Sequence, residues 1–127
     1  MRPDDDRIVD ILDGAQSITD RFRHHSLDSI SKTPDAIKAT FYDVIIIGEA
    51  MRELVGRKDK QGQKIKEDAP IVTANPEIPW EDWIGMRDIV THQYFRAAPE
   101  IVWRDYEAGE LEKLTICCRD WLDKRGV

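Results

Sequence analysis

The 127-residue sequence has only two cysteines, three histidines and no long apolar run. The cysteines, Cys117 and Cys118, are adjacent. A disulfide between neighbours is strained, and two adjacent thiols do not form a metal site alone. Both are expected reduced on a helix, one facing inward and one partly exposed. His24 and His25 lack ligand partners at useful spacing, so neither a metal site nor a cofactor is expected. No apolar stretch approaches the roughly 20 residues that span a membrane. The acidic start, Met1-Arg2-Pro3-Asp4-Asp5-Asp6, also lacks the apolar centre of a signal peptide. A cytoplasmic protein without membrane contact is the expectation. Positive charge is in deficit too. A net charge of −6 argues against nonspecific coating of nucleic acid, so an RNA-directed activity must use local basic patches or a partner.

What is present is a balance of 41% hydrophobic and 35% charged residues, over a length that buries a core as one domain, residues 1–127. Ile8, Ile11, Leu12, Ala15, Ile18 and Phe22 recur at three- and four-residue steps and predict a first helix from about Asp5 to His24. Gly14 inside it suggests close packing of another helix. Ser26 to Lys32 reads as a connector. Thr33 as cap, Pro34 in the first turn and Asp35 at the dipole predict a second helix, which Gly56 ends. Its interior, Phe41 to Gly48, is apolar nearly all round; propensity alone allows a strand over Val44 to Ile47, but the flanking helical spacing prevails. Such a helix belongs at the centre of a bundle or in a subunit interface.

Arg57 to Pro79 is the least regular segment. Its cations Arg57, Lys58, Lys60, Lys64 and Lys66 read either as a solvated loop of mixed charge, the simpler expectation, or as an RNA-backbone contact. Pro70, Pro76 and Pro79 are expected to keep its later part extended. A third helix runs from about Trp80 to Gln93, with Gly85 permitting close approach of a helix or of RNA. A fourth begins near Pro99, Gly109 interrupts it, and a fifth carries Leu111, Leu114, Cys118, Trp121 and Leu122. The class is all-α, a single bundle of about five helices.

Chemistry concentrates in Met86-Arg87-Asp88-Ile89-Val90-Thr91-His92-Gln93-Tyr94-Phe95. Arg87 offers a permanent charge and a planar fork of donors suited to a phosphate. His92 titrates near neutrality and can take and return a proton. Together they supply what metal-free RNA cleavage requires: a base for the ribose 2′-OH and a fixed cation for the crowded phosphorus. Residues five apart on a straight helix point about 140° away from each other, so one helix cannot easily aim both at one phosphate unless it bends or two copies share the site. Asp88, four residues before His92, is placed to orient the imidazole, and Tyr94 lies two turns beyond Arg87 on the same side. Spacing alone leaves plainer readings open: Tyr94-Phe95 as core or dimer face, Asp88 as a solvated or capping acid, Arg87 and His92 as a chance pair.

The run Arg87-Asp88-x-x-x-His92-x-Tyr94 resembles the Arg-x-x-x-x-His-x-Tyr signature of the HepT-like branch of the HEPN superfamily, where a polar residue follows the arginine. The likeness extends through Pro79-Trp80 and Gly85-Met86, upstream to Ile47-Gly48-Glu49-Ala50, and downstream to Ile101-Val102-Trp103 and the Leu111/Leu114 pair. It spans about Arg7 to Trp121; the 57–66 insert and the Arg96–Pro99 stretch match no family motif. The resemblance implies a HEPN-like bundle and a homodimer whose two motifs face each other across a cleft. Within it Arg87, His92 and Asp88 would be catalytic residues of a metal-independent endoribonuclease toxin with RNA as substrate. It further implies an MntA-like nucleotidyltransferase antitoxin that transfers AMP to Tyr94. The alternative is a non-catalytic nucleotide-binding or docking subunit for a nucleotidyltransferase, with a plain helical dimerisation domain behind it.

Overall fold

A computed structural model of the chain describes residues 3–92 and 95–127. Its elements run α1 (Pro3–Arg23), α2 (Leu27–Ser31), α3 (Pro34–Leu54), β1 (Arg57–Lys58), β2 (Lys64–Lys66), α4 (Pro70–Ala74), α5 (Trp80–His92), a 3₁₀ turn (Phe95–Ala97), α6 (Ala98–Glu107) and α7 (Glu110–Lys124). The all-α expectation holds, and its five helices correspond to α1, α3, α5, α6 and α7. Two short helices and a two-stranded antiparallel hairpin are added.

α3 is the axis of the bundle, with α1 packed on one side and α5 on another. Each of its partners brings an apolar stripe. α1 buries Ile8, Ile11, Ala15, Ile18 and Phe22, and α3 buries Val44, Ile47, Met51 and Leu54. α7 closes the core with Leu111, Leu114, Cys118 and Leu122, while α5 supplies Trp80, Trp83 and Val90. Each such aliphatic side chain contributes about 1.5–3 kcal/mol when fully buried. Phe22 stacks into a ring cluster with Trp103 and Tyr106 of α6. The expected glycine approach is real: a Cβ on Gly14 would lie 2.8 Å from Ile47 Cγ1, so α1 crosses α3 closely there. Asp5, only 4% exposed, ties the start of α1 to the far end of the chain by accepting hydrogen bonds from Arg125 Nε at 2.7 Å and Nη2 at 3.2 Å.

Several local expectations need correction. The Ser26–Lys32 connector contains α2, nucleated by a capping box in which Ser26 Oγ accepts from Ser29 N and Ser29 Oγ accepts from Ser26 N. Thr33 occupies the N-cap of α3, but its hydroxyl donates back to the Ser29 carbonyl at 2.8 Å instead of capping. α3 stops at Leu54, before Gly56. Gly56 serves a different need, since a Cβ there would stand 2.6 Å from the Lys66 carbonyl oxygen. The 57–66 segment is a hairpin, and Pro70 starts α4 at its first turn, where its missing N–H is not needed. Gly85 has no protein atom near the space a Cβ would fill; the close approach on α5 is made by Gly48 of α3. Cys118 is buried and Cys117 half-buried, both as free thiols, as expected. Burial pushes the Cys117 thiol up to about 11, with Glu77 and Asp120 adding to the shift.

Candidate active site

α5 forms from a clear pattern. Glu81 and Asp82 lie in its first turn and His92 in its last, each complementing the helix dipole. Trp80, Trp83 and Val90 anchor it to the core, which turns Arg87 toward α3. The fit depends on Gly48: a Cβ there would fall 2.3 Å from Arg87 Cβ and 2.7 Å from its Cγ. The arginine stem thus lies in a notch that only a residue without a side chain leaves open.

The Arg87 guanidinium is gripped by carboxylates from both helices. Its Nη2 forms an ion pair with Glu49 Oε1 of α3, and its Nη1 donates to Asp88 Oδ1 at 2.9 Å. Asp88 is shared, because Arg52 Nη2 of α3 donates to its two oxygens at 3.0 and 3.3 Å. The four charges alternate along the seam as Glu49, Arg87, Asp88 and Arg52. The hydrogen bond to Asp88 raises the Arg87 pKa above its ordinary value; burial opposes that and Glu49 reinforces it. Asp88 is held below the usual carboxylate range, first by the Arg87 hydrogen bond and further by the charges of Arg52 and His92. Its pairs are therefore present above the ordinary carboxylate pKa and are lost as pH falls through the lowered one.

Arg87 Nε is buried and has no hydrogen-bond partner among the described residues; the charge of the guanidinium is met by carboxylates at Nη1 and Nη2. Its side chain remains 24% exposed, so solvent and small anions reach it.

His92 sits exposed at the C-terminal end of α5 and makes no hydrogen bond or ion pair with a described residue. Its charge is felt by Asp88, but the Asp88 oxygens are engaged by Arg87 and Arg52. The expected Asp88–His92 hydrogen bond does not form within one chain. Tyr94 lies outside the described residues. Among the described residues no group of three or more His, Cys, Asp or Glu side chains is arranged to hold a metal ion. Among the described residues no helix is long and apolar enough to cross a membrane.

Sequence reasoning singled out Arg87, Asp88 and His92 but gave Arg52 no part and Glu49 no role. A signal existed: Gly48, Glu49 and Arg52 interrupt the run of apolar residues on α3 at spacing that places 48 and 52 one above the other. What was missing was the knowledge that this turn faces α5.

Comparison with known proteins identifies the family. The family model described as "Ribonuclease HepT-like" matches residues 7–119. A protein of Caldanaerobacter subterraneus subsp. tengcongensis with a provisional RNase name is 29% identical over 105 residues, 81% of this chain and 82% of its own length. Another with such a name, from Methanocaldococcus jannaschii, is 28% identical over 96 residues, 76% of this chain and 69% of its own. No solved structure matches. The matched span takes in most of α1, all of α3, α5 and α6, the first two thirds of α7 and the whole Glu49–Arg87–Asp88–Arg52 seam, and the chain belongs to the HepT-like ribonuclease family.

Proposed function

We propose that this protein is a metal-independent endoribonuclease, acting as the toxin of a toxin–antitoxin pair. The observation that carries the reading is the state of Arg87. It is a permanently charged, part-exposed guanidinium held between the carboxylates of Glu49 and Asp88, one helical stretch from His92, which bonds to no described residue. An RNA phosphate offers that guanidinium the same geometry as the carboxylates it now holds. In the reaction His92 removes the proton of the ribose 2′-OH, and the freed oxygen attacks the adjacent phosphorus. Arg87 stabilises the charge that builds on the phosphoryl oxygens, and Asp88 polarises Arg87. The 5′-oxygen leaves and takes the proton that His92 returns. The products end in a 2′,3′-cyclic phosphate and a 5′-hydroxyl. DNA lacks the nucleophile and is not cut.

Arg87 turns to α3 while His92 stays free at the helix end, as expected for residues about 140° apart. A symmetric homodimer answers this by bringing two copies of each around one cleft. Tyr42 is 63% exposed and Ile89 43% exposed, and Tyr42, half-buried Ile46 and Glu49 share one stripe of α3. That apolar stripe beside the seam supports pairing there. Regulation follows from the same electrostatics. An MntA-like nucleotidyltransferase antitoxin transfers AMP to Tyr94, and the added phosphate blocks RNA and competes for Arg87.

The test is incubation of unmodified protein with total RNA in EDTA, alongside His92→Ala and Arg87→Ala. Wild type is expected to leave cyclic-phosphate ends while both variants leave RNA intact. If none of the three cleaves while all are folded and dimeric, the nucleotide-binding or docking subunit takes over as the reading. Mass spectrometry after co-expression with the nucleotidyltransferase reads modification, which Tyr94→Phe is expected to abolish.

A further inference from the structure

The hairpin β1–β2 inverts the charge of the molecule. Residues 57–66 hold five of the 19 basic residues and one of the 25 acidic ones, a net +4, leaving −10 on the rest of the chain. The strands pair Arg57 opposite Lys66 and Lys58 opposite Lys64. Like charges directly across a ladder destabilise it, so this register is not chosen for folding. Two cations are compensated, Lys66 by Glu53 of α3 and Lys64 by Glu67. The acid within the hairpin, Asp59, is consumed in closing the turn, where its Oδ1 accepts from Gln61 N and Gln63 N at 2.9 Å each. Asp68 accepts from Gly56 N. Arg57, Lys58 and Lys60 are left exposed, without an ion pair to any described residue. Arg57 and Lys58 form β1 and Lys60 stands on the turn that follows, which is fixed by Gly62 at φ 82° and by its N–H to the Asp59 carbonyl at 3.0 Å.

The hairpin also lies beside the seam. It hangs from the last turn of α3, where Arg52 reaches Asp88 and the next residue, Glu53, holds Lys66. Its root forms a groove of about 410 Å³ that includes Glu81 of α5. Glu81 and Asp88 are seven residues apart on one face of α5, about 10 Å along the axis.

We propose that Arg57, Lys58 and Lys60 form a phosphate-backbone docking surface that holds the RNA strand flanking the linkage at Arg87. This rests on the ribonuclease reading above and adds where the substrate strand runs. A chain this acidic repels a polyanion overall, so a local cationic edge next to the site gives the strand a path to it.

The experiment compares Arg57→Gln/Lys58→Gln/Lys60→Gln with a charge-matched control, Lys32→Gln/Lys113→Gln/Lys124→Gln, at the C-cap of α2 and on α7. Binding of a labelled single-stranded RNA of about 16 nucleotides, the upper end of common site sizes, is measured by anisotropy in a His92→Ala background, so it does not depend on cleavage. Losing three phosphate contacts is expected to make the slope of log K against log salt shallower by about 2, and to weaken binding roughly a hundredfold near 0.1 M salt. The control is expected to change neither. With the active protein, KM for the long RNA is expected to rise while cleavage of a dinucleotide, too short to reach the hairpin, stays the same. Unchanged slope and KM in a triple variant whose parent cleaves RNA overturns the docking surface alone. If the parent cuts nothing, the ribonuclease reading falls, and the binding slopes still decide the hairpin. Loss of an acidic partner protein with RNA binding intact also overturns the proposal.

Discussion

Two arginines reach α3 from opposite sides, and they are finished differently. Arg21 of α1 donates to Asp43 Oδ2 at 2.9 Å, to Thr40 Oγ1 at 3.1 Å and to Ser17 Oγ at 2.8 Å. One carboxylate and two hydroxyls match it, with the two side chains 16% and 12% exposed. Arg87 of α5 meets two carboxylates and shares one of them with a second arginine. The first is a pin whose Nη1 and Nη2 meet one charged and two neutral acceptors. The second is held by carboxylates alone, the kind of partner a phosphate can replace. Residue type is identical in both; the partners separate a scaffold arginine from the one proposed for the site.

The strongest way to break that comparison is to remove each arginine and read both activity and stability. Arg87→Ala is expected to lower RNA cleavage by about 10²–10³, the cost of deleting one transition-state donor. Its unfolding free energy is expected to shift by less than about 1 kcal/mol, since exposed ion pairs contribute little. Arg21→Met should do the reverse. It strands Asp43, 8% exposed, and is expected to cost about 3 kcal/mol in urea unfolding with cleavage retained. Adding Asp43→Leu to it should recover most of the loss, because replacing both members of a buried pair is far cheaper than removing one. An Arg21→Met protein that is stable but inactive reverses the assignment.

The two glycine crossings sharpen the same contrast at smaller cost. Gly48→Ala brings a Cβ to 2.3 Å from Arg87 Cβ, a backbone-proximal atom that cannot yield. About 2 kcal/mol of overpacking is expected, together with a large fall in cleavage as Arg87 shifts, since a misplacement near 1 Å can cost about 10² in rate. Gly14→Ala meets Ile47 Cγ1 at 2.8 Å, the inner atom of a β-branched and fully buried side chain. It is expected to cost about 1 kcal/mol, the overpacking being partly offset by the helix propensity gained. Its cleavage should be normal.

How much of this was legible beforehand divides along similar lines. The stripe Ile8, Ile11, Ala15, Ile18 and Phe22 announced α1 because a helix repeats every few residues and burial is read locally. The apolar run Val44–Ile47 was readable as helix from its flanks. Arg87, Asp88 and His92 stood out by chemical type. α2 was missed because Ser26 and Ser29 cap each other over four residues with no apolar period to betray them. The hairpin was missed because its strands are two and three residues long and cationic, with no alternation to read. Arg52 and Glu49 escaped because their meaning lies in the pairing of α3 with α5, a contact between residues 36 or more positions apart.

Glu49 supplies the finest test. Its carboxylate pairs with Arg87 Nη2 and is 45% exposed, so it occupies the fork a phosphate must take. If the pair is an exchange contact, Glu49→Gln keeps the side chain's shape while removing the competing charge. RNA then displaces a weaker partner, and KM is expected to fall by about threefold, on the order of the 0.2–1 kcal/mol an exposed pair contributes, with kcat unchanged. If Glu49 instead positions Arg87 for the transition state, the same variant lowers kcat and leaves KM alone. Stability separates neither case, as the pair is solvent-exposed. The KM-against-kcat split therefore decides whether the excess carboxylate at this arginine holds the place of a phosphate or aims the guanidinium at it.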